Sequence, residues 1–142
     1  SDAFRRLAER HAPDVRLVLE PCPGLVEQIE RGELTGTAAQ ARVAGLVKPM
    51  IEAGADVIVL GCTHFPFAAP LIRADAGPGV EVLDPAVAVA AQLARRLDEA
   101  GLRADASSTG SAQFYTSGDR EHVAAVIAAL WGQAVPVAAA PL

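Results

Sequence analysis

The sequence has no cluster of lysines and arginines, few aromatics, two cysteines and no long apolar run, and each shortage removes a class of function. Twelve bases stand against seventeen acids, for a net charge of −5. A protein that neutralises a row of phosphates needs grouped cations, so nucleic acid is not an expected partner. No apolar run reaches the roughly 18 residues that cross a bilayer. The basic start, apolar stretch and small-residue cleavage site of a signal peptide are not seen either. Neither a membrane partner nor export is therefore expected. Cys22 and Cys62, forty residues apart, cannot make a disulfide framework; they read as thiols of a reducing, cytoplasmic compartment. Aromatics at 4% disfavour an aromatic-rich sandwich or barrel. His11, His122 and Cys22 have no ligand spacing around them, and Cys62 with His64 makes only two ligands, so no metal site is expected.

What the sequence does have is alanine, thirty residues of 142, within a composition 51% apolar and 20% charged. That suits small-faced helices packed on a sheet, at the size of about one domain. Helical and strand periodicities alternate along it. Residues 1–11 read as a helix stopped near Pro13. Val15 to Glu20 reads as a short buried strand, and Pro21-Cys22-Pro23-Gly24 as a rigid turn, because two prolines fix φ and remove two donors. A short helix with Leu25, Val26 and Ile29 ends at Gly32. A longer one follows over about 36–53, with a kink or break expected near Gly45 from the clash of the Pro49 ring. Asp56 to Leu60 is apolar on both faces, as a central parallel strand is. A helix over 66–75, a strand over Val80 to Leu83 and a helix capped by Asp84 come next. Residues 101–111 read as a loop, Gln113 to Thr116 as a strand and about 119–131 as a last helix. The fold class is α/β, a three-layer sandwich with a mainly parallel sheet formed by strands near 15–20, 56–60 and 80–83.

Ligands of such sheets sit at the carboxyl ends of strands. The strand most apolar in this chain ends on Gly61-Cys62-Thr63-His64-Phe65-Pro66. The loop presents a thiol, a hydroxyl and an imidazole together, and Gly61 lets backbone approach a ligand. A cysteine so placed works as base or nucleophile when a neighbour takes its proton or stabilises the thiolate. His64 is that neighbour in sequence. Against this stands the ordinary fate of free cysteine, which is to fill core.

These residues resemble the glutamate racemases of the aspartate/glutamate racemase superfamily. Gly61 to Phe67, GCTHFPF after DVIVL, is similar to that family's second catalytic-cysteine motif. Pro21-Cys22-Pro23-Gly24-Leu25-Val26 with Glu30 resembles its CP segment, Val82-Leu83-Asp84-Pro85 its next strand and helix, and Phe114 to Asp119 its final strand. The resemblance implies cofactor-independent, two-base interconversion of L- and D-glutamate, supplying the D-isomer for bacterial peptidoglycan. Cys62 matches the second acid/base thiol, His64 and Glu30 matching residues that assist it. Thr63 and Gly61 match substrate contacts, and Cys22 falls on a non-catalytic segment. Racemases of aspartate or of hydantoins share a similar cysteine loop and remain the alternative within the family. A non-catalytic binding module, with Cys62 a core thiol, is the alternative outside it.

The Asp-Ser-Gly, Pro-Tyr-Gly and Cys-Asn-Thr motifs of the family's first half are not in these 142 residues. The chain, which opens Ser1-Asp2 without methionine, therefore reads as the later portion of a racemase. Residues 1–100 form the domain with the second cysteine, 101–112 a linker, 113–132 a strand and helix that return to the other domain, and 133–142 a loose tail. Apolar faces around Phe114 and the last helix are expected to be left open, so that the chain could pair as a homodimer.

Overall fold

In the computed structural model, which describes residues 2–141, helices α1 (Asp2–His11), α2 (Leu25–Glu30), α3 (Gly36–Glu52), α4 (Ala69–Ala76), α5 (Ala86–Glu99) and α6 (Arg120–Trp131) alternate with short strands. The strands are β1 (Val57–Val59), β2 (Glu81–Leu83), β3 (Phe114–Thr116) and β4 (Val137–Ala139), and a 3₁₀ turn, Phe65–Ala68, leads into α4. Ser1 and Leu142, the ends of the expected first unit and tail, lie outside the described residues.

The α/β class and the parallel pairing hold. β1 runs parallel to β2 with Val57, Ile58 and Val59 opposite Glu81, Val82 and Leu83. The ladder is extended at both ends, Glu81 N–H donating to the Asp56 carbonyl and Leu60 N–H to that of Leu83. β3 stands apart from this pair, as expected, and runs parallel to β4.

Four expectations are corrected. No ladder forms over 15–20, and Val15, Leu17, Val18 and Leu19 are exposed beside α1. Their apolar content marks a strand, but among the described residues no strand is laid against it. The expected single sheet is therefore two separate parallel pairs. Secondly, the tail is not loose throughout: Val137–Ala139 is β4, and the Ala140 N–H continues the pairing to the Thr116 carbonyl. Thirdly, the Phe114 face is only partly open: Trp131 meets the ring edge-on with centroids 5.7 Å apart, while Tyr115 and Trp131 themselves remain more than half exposed. More open apolar surface lies on segment 15–19, on Val57, Val59 and Leu83, and on Val87, Val89 and Leu93 of α5. Lastly, the helix does not break at Pro49, and α3 runs through it. The ring removes one donor near the helix end, and the last turn is closed by Gly54 and Ala55, whose N–H groups reach the Ile51 and Met50 carbonyls. Gly54 takes a φ of 80° there, the left-handed reversal that glycine allows at low cost.

The core explains which elements are fixed. Leu25 and Ile29 of α2, Val43 and Val47 of α3, Ile58 and Leu60 at β1, and Ala68, Ala69 and Ile72 after it form one buried cluster. Each large side chain so buried contributes about 1.5–3 kcal/mol. Both segments that hold candidate residues, the end of α2 and the loop after β1, are thus tied to the same cluster. Neither α1 nor α5 buries a residue.

Candidate functional site

β1 ends on the buried Leu60, and the chain then rises to the surface at Gly61, leaves Cys62 half-buried and exposes Thr63. Two turns set the loop, Phe65 N–H to the Cys62 carbonyl at 3.1 Å and Phe67 N–H to that of His64 at 3.1 Å. Pro66 sits in the first turn of the 3₁₀ segment, where its fixed φ suits a helical start and its missing N–H costs nothing. A Cβ on Gly61 would meet no atom within 4 Å. The space over the strand end is open, and nothing in this chain itself requires glycine there.

Three of the candidate residues come together. The Cys62 Sγ lies 3.8 Å from His64 Nδ1, and His64 Nε2 lies 3.1 Å from Glu30 Oε1. A carboxylate only accepts hydrogen bonds, so the Nε2 side carries the proton in this contact. In the neutral ring that leaves Nδ1 bare and facing the thiol. The imidazole can therefore take the Cys62 proton while Glu30 supports the charge that develops. The His64 and Glu30 side chains are 32% and 60% exposed, so water screens the pair and it adds little to the stability of the fold. Thr63 and Gly61 face open surface beside this row.

Cys22 sits nearby but differs in environment. It packs half-buried against the core cluster in the Pro21–Gly24 turn. Its S–H donates to the Glu20 carbonyl at 3.5 Å. Burial first, then the charges of Glu20 and Cys62, push its thiol up from the ordinary 9.0. It stays protonated at neutral pH and is tied back to its own segment. No group of three or more His, Cys, Asp or Glu among the described residues could hold a metal ion. No helix among them is long and apolar enough to cross a membrane.

One residue was passed over in the sequence. Gln28 is only 3% exposed, and its Nε2 donates to the Glu33 carbonyl at 2.8 Å. The signal was there: a glutamine at position i+3 in the Leu25–Ile29 stripe is a polar residue on an apolar face.

Comparison with known proteins places this arrangement in a family. The chain is 49% identical over 125 residues to a glutamate racemase of Herpetosiphon aurantiacus, covering 88% of this chain and 49% of that one. It is 42% identical over 142 residues to a glutamate racemase of Pseudomonas entomophila, covering 53% of it. It therefore spans about half the length of the curated relatives it matches. Among solved structures, a Bacillus anthracis glutamate racemase isoform superposes with a TM-score of 0.86 at 20% identity, over 99% of this chain and 53% of that one. A Thermus thermophilus glutamate racemase in complex with beta-chloro-D-alanine gives 0.73 at 27% identity, over 96% and 53%. The Asp/Glu/Hydantoin racemase family model matches residues 1–93, the stretch that contains Glu30, Cys62 and His64. By that match, over more than half of its length, the chain belongs to the Asp/Glu/hydantoin racemase family.

Proposed function

We propose that this chain supplies one acid/base wall of a cofactor-independent glutamate racemase. The observation that carries the reading is the row Cys62–His64–Glu30, with 3.8 Å and 3.1 Å between successive members, at the end of a parallel strand. Racemisation needs a group on each face of the α-carbon, one to remove the proton and one to return it. Cys62 is the acid/base thiol on one face. His64 holds or supplies its proton through Nδ1, and Glu30 fixes the ring through Nε2. Thr63 and Gly61, at the open lip of the loop, are placed to meet the amino acid. Glutamate is the substrate by similarity to the relatives named above. The product, D-glutamate, would serve peptidoglycan synthesis in the cytoplasm.

Cys22 does not supply the opposite face, since its S–H is turned to the Glu20 carbonyl. The second thiol comes from a polypeptide segment outside these 142 residues, which residues 113–132 join as a returning strand and helix, residues 101–112 being the link. The chain alone is expected to racemise glutamate about 10²–10⁴-fold more slowly than an assembly with both thiols, the cost of one positioned acid/base group. The test follows glutamate optical activity by circular dichroism, using the chain joined behind a segment that carries the opposite thiol. Cys62→Ser is expected to lower kcat by a similar factor. Unchanged racemisation by that variant removes Cys62 from the mechanism. Turnover of aspartate or hydantoins in place of glutamate moves the substrate, not the chemistry.

A further inference from the structure

The row of Cys62, His64 and Glu30 depends on where Glu30 is held, and Glu30 is the last residue of a six-residue helix. So short a helix is marginal by itself and its last turn frays readily. What closes this one is a reversal at Gly32, with φ of 71°, which folds Glu33 back over the helix end. There Glu33 N–H donates to the Gln28 carbonyl at 3.0 Å. In the opposite direction the Gln28 side-chain Nε2 donates to the Glu33 carbonyl at 2.8 Å. The two hydrogen bonds close a ring from Gln28 to Glu33 with Glu30 inside it. Resting on the proposed function above, the geometry points to Gln28 as a positioning residue, whose buried amide clamps the end of α2 so that Glu30 meets His64.

Two further observations favour this reading over simple packing. Gln28 lies between Leu25 and Ile29, which are 2% and 0% exposed, in a place an apolar side chain would fill. Its Oε1 is buried with no hydrogen-bond partner among the described residues. A buried, unmet acceptor is a cost that methionine or leucine would avoid, so what glutamine adds here is its donor. Secondly, the competing cation is held away from Glu30. Arg31 pairs in fork geometry with the Glu33 carboxylate, Nε to Oε1 at 2.9 Å and Nη2 to Oε2 at 3.1 Å. The clamp that orients Glu30 thus also parks its neighbour's charge elsewhere.

The experiment measures alkylation of the two thiols of this chain by iodoacetamide, site by site by mass spectrometry, in the wild type, Gln28→Met, Glu30→Gln and the double variant. Methionine keeps the volume and removes both the donor and the orphan acceptor, so the melting temperature is expected to hold or rise. Cys22 serves as the internal reference. Gln28→Met and Glu30→Gln are each expected to lower the Cys62-to-Cys22 labelling ratio about 2–10-fold, the range for loss of one hydrogen bond. The double variant is expected to fall no further than Glu30→Gln. Nitrogen NMR of His64 adds a signature that packing alone would not move: loss of the fixed Nε2–H form in Gln28→Met, where the partner oxygen is displaced. A Gln28→Met ratio equal to wild type, with Glu30→Gln lowered, overturns the clamp and leaves the proton row intact. An unchanged ratio in Glu30→Gln overturns the row and the clamp together. Faster labelling of Cys22 and Cys62 alike in Gln28→Met reduces Gln28 to a structural residue and overturns the proposal.

Discussion

Lysine at Leu19 or Val59 is expected to weaken self-association of this chain. A folded monomer of 14.6 kDa exposes roughly 6,900 Å² by the usual scaling with mass. This chain exposes 10409 Å². The excess, about 3,500 Å², is several times the roughly 800 Å² that each partner contributes to an ordinary protein–protein interface. Part of it belongs to the irregular segment between α5 and β3, but much is apolar: Leu19 is 64% exposed, Val59 61% and Val87 79%. Apolar surface of this extent favours association. Sedimentation velocity across about 1–100 µM should therefore show concentration-dependent growth in mass, in the micromolar range of standard interfaces. Fully burying a leucine or valine is worth about 1.5–3 kcal/mol, so the two-thirds of each side chain left open here is worth about 1–2 kcal/mol. Leu19→Lys or Val59→Lys should then raise the dissociation constant by about 5–30-fold. A chain that stays monomeric at the highest concentration, with no binding of an apolar dye, would refute the reasoning. It would mean that segment 15–19 folds over β1 in solution.

The Cys22 thiol, raised by burial and by the Glu20 and Cys62 charges, links stability to pH. A group whose folded value is raised contributes fully below the ordinary thiol value and loses that contribution as pH climbs through the folded one. Denaturant midpoints should thus fall above about pH 9, and Cys22→Ala should flatten that decline; an equal alkaline loss in the variant assigns it elsewhere. Gly24, with φ of 77° and the Arg42 guanidinium 2.9 Å from where a Cβ would stand, should tolerate alanine poorly. Gly24→Ala is expected to cost about 1–2 kcal/mol in urea unfolding, and a neutral result would show that the turn before α2 can relax.

The parts of the fold that were legible from the sequence are those whose signal is local. Asp56 to Leu60 is apolar on both faces and became β1, and Asp119 followed by an apolar stripe became α6, its carboxylate accepting from His122 N–H at 2.7 Å. Pairing was less legible, because it depends on what lies alongside. Val15 to Glu20 has the composition of a buried strand and found no partner, whereas Val137–Ala139, read as tail, found β3. Helix continuity at Pro49 was misjudged for a related reason: the penalty is local, but α3 is held along its length by packing of Val43 and Val47. At the site, the Cys62–His64 pair is visible as two neighbours on a loop. Glu30 is an ordinary surface acid in its own helix, and only the family resemblance drew it in. Gln28 is visible as a polar residue on the Leu25–Ile29 face, but its partner is set by a turn closed at Gly32, which no side-chain pattern announces.

The contact between Glu30 and His64 joins residues 34 positions apart, and this has a kinetic consequence. In the folded chain α3 lies between them, and both ends pack on the same cluster of Leu25, Ile29, Val43, Val47 and Leu60. Closing that loop costs entropy that only the assembled core repays. On a ribosome the carboxylate emerges first and waits for the thiol and the imidazole. An incompletely folded chain therefore carries Cys62 without the proposed row of His64 and Glu30 beside it.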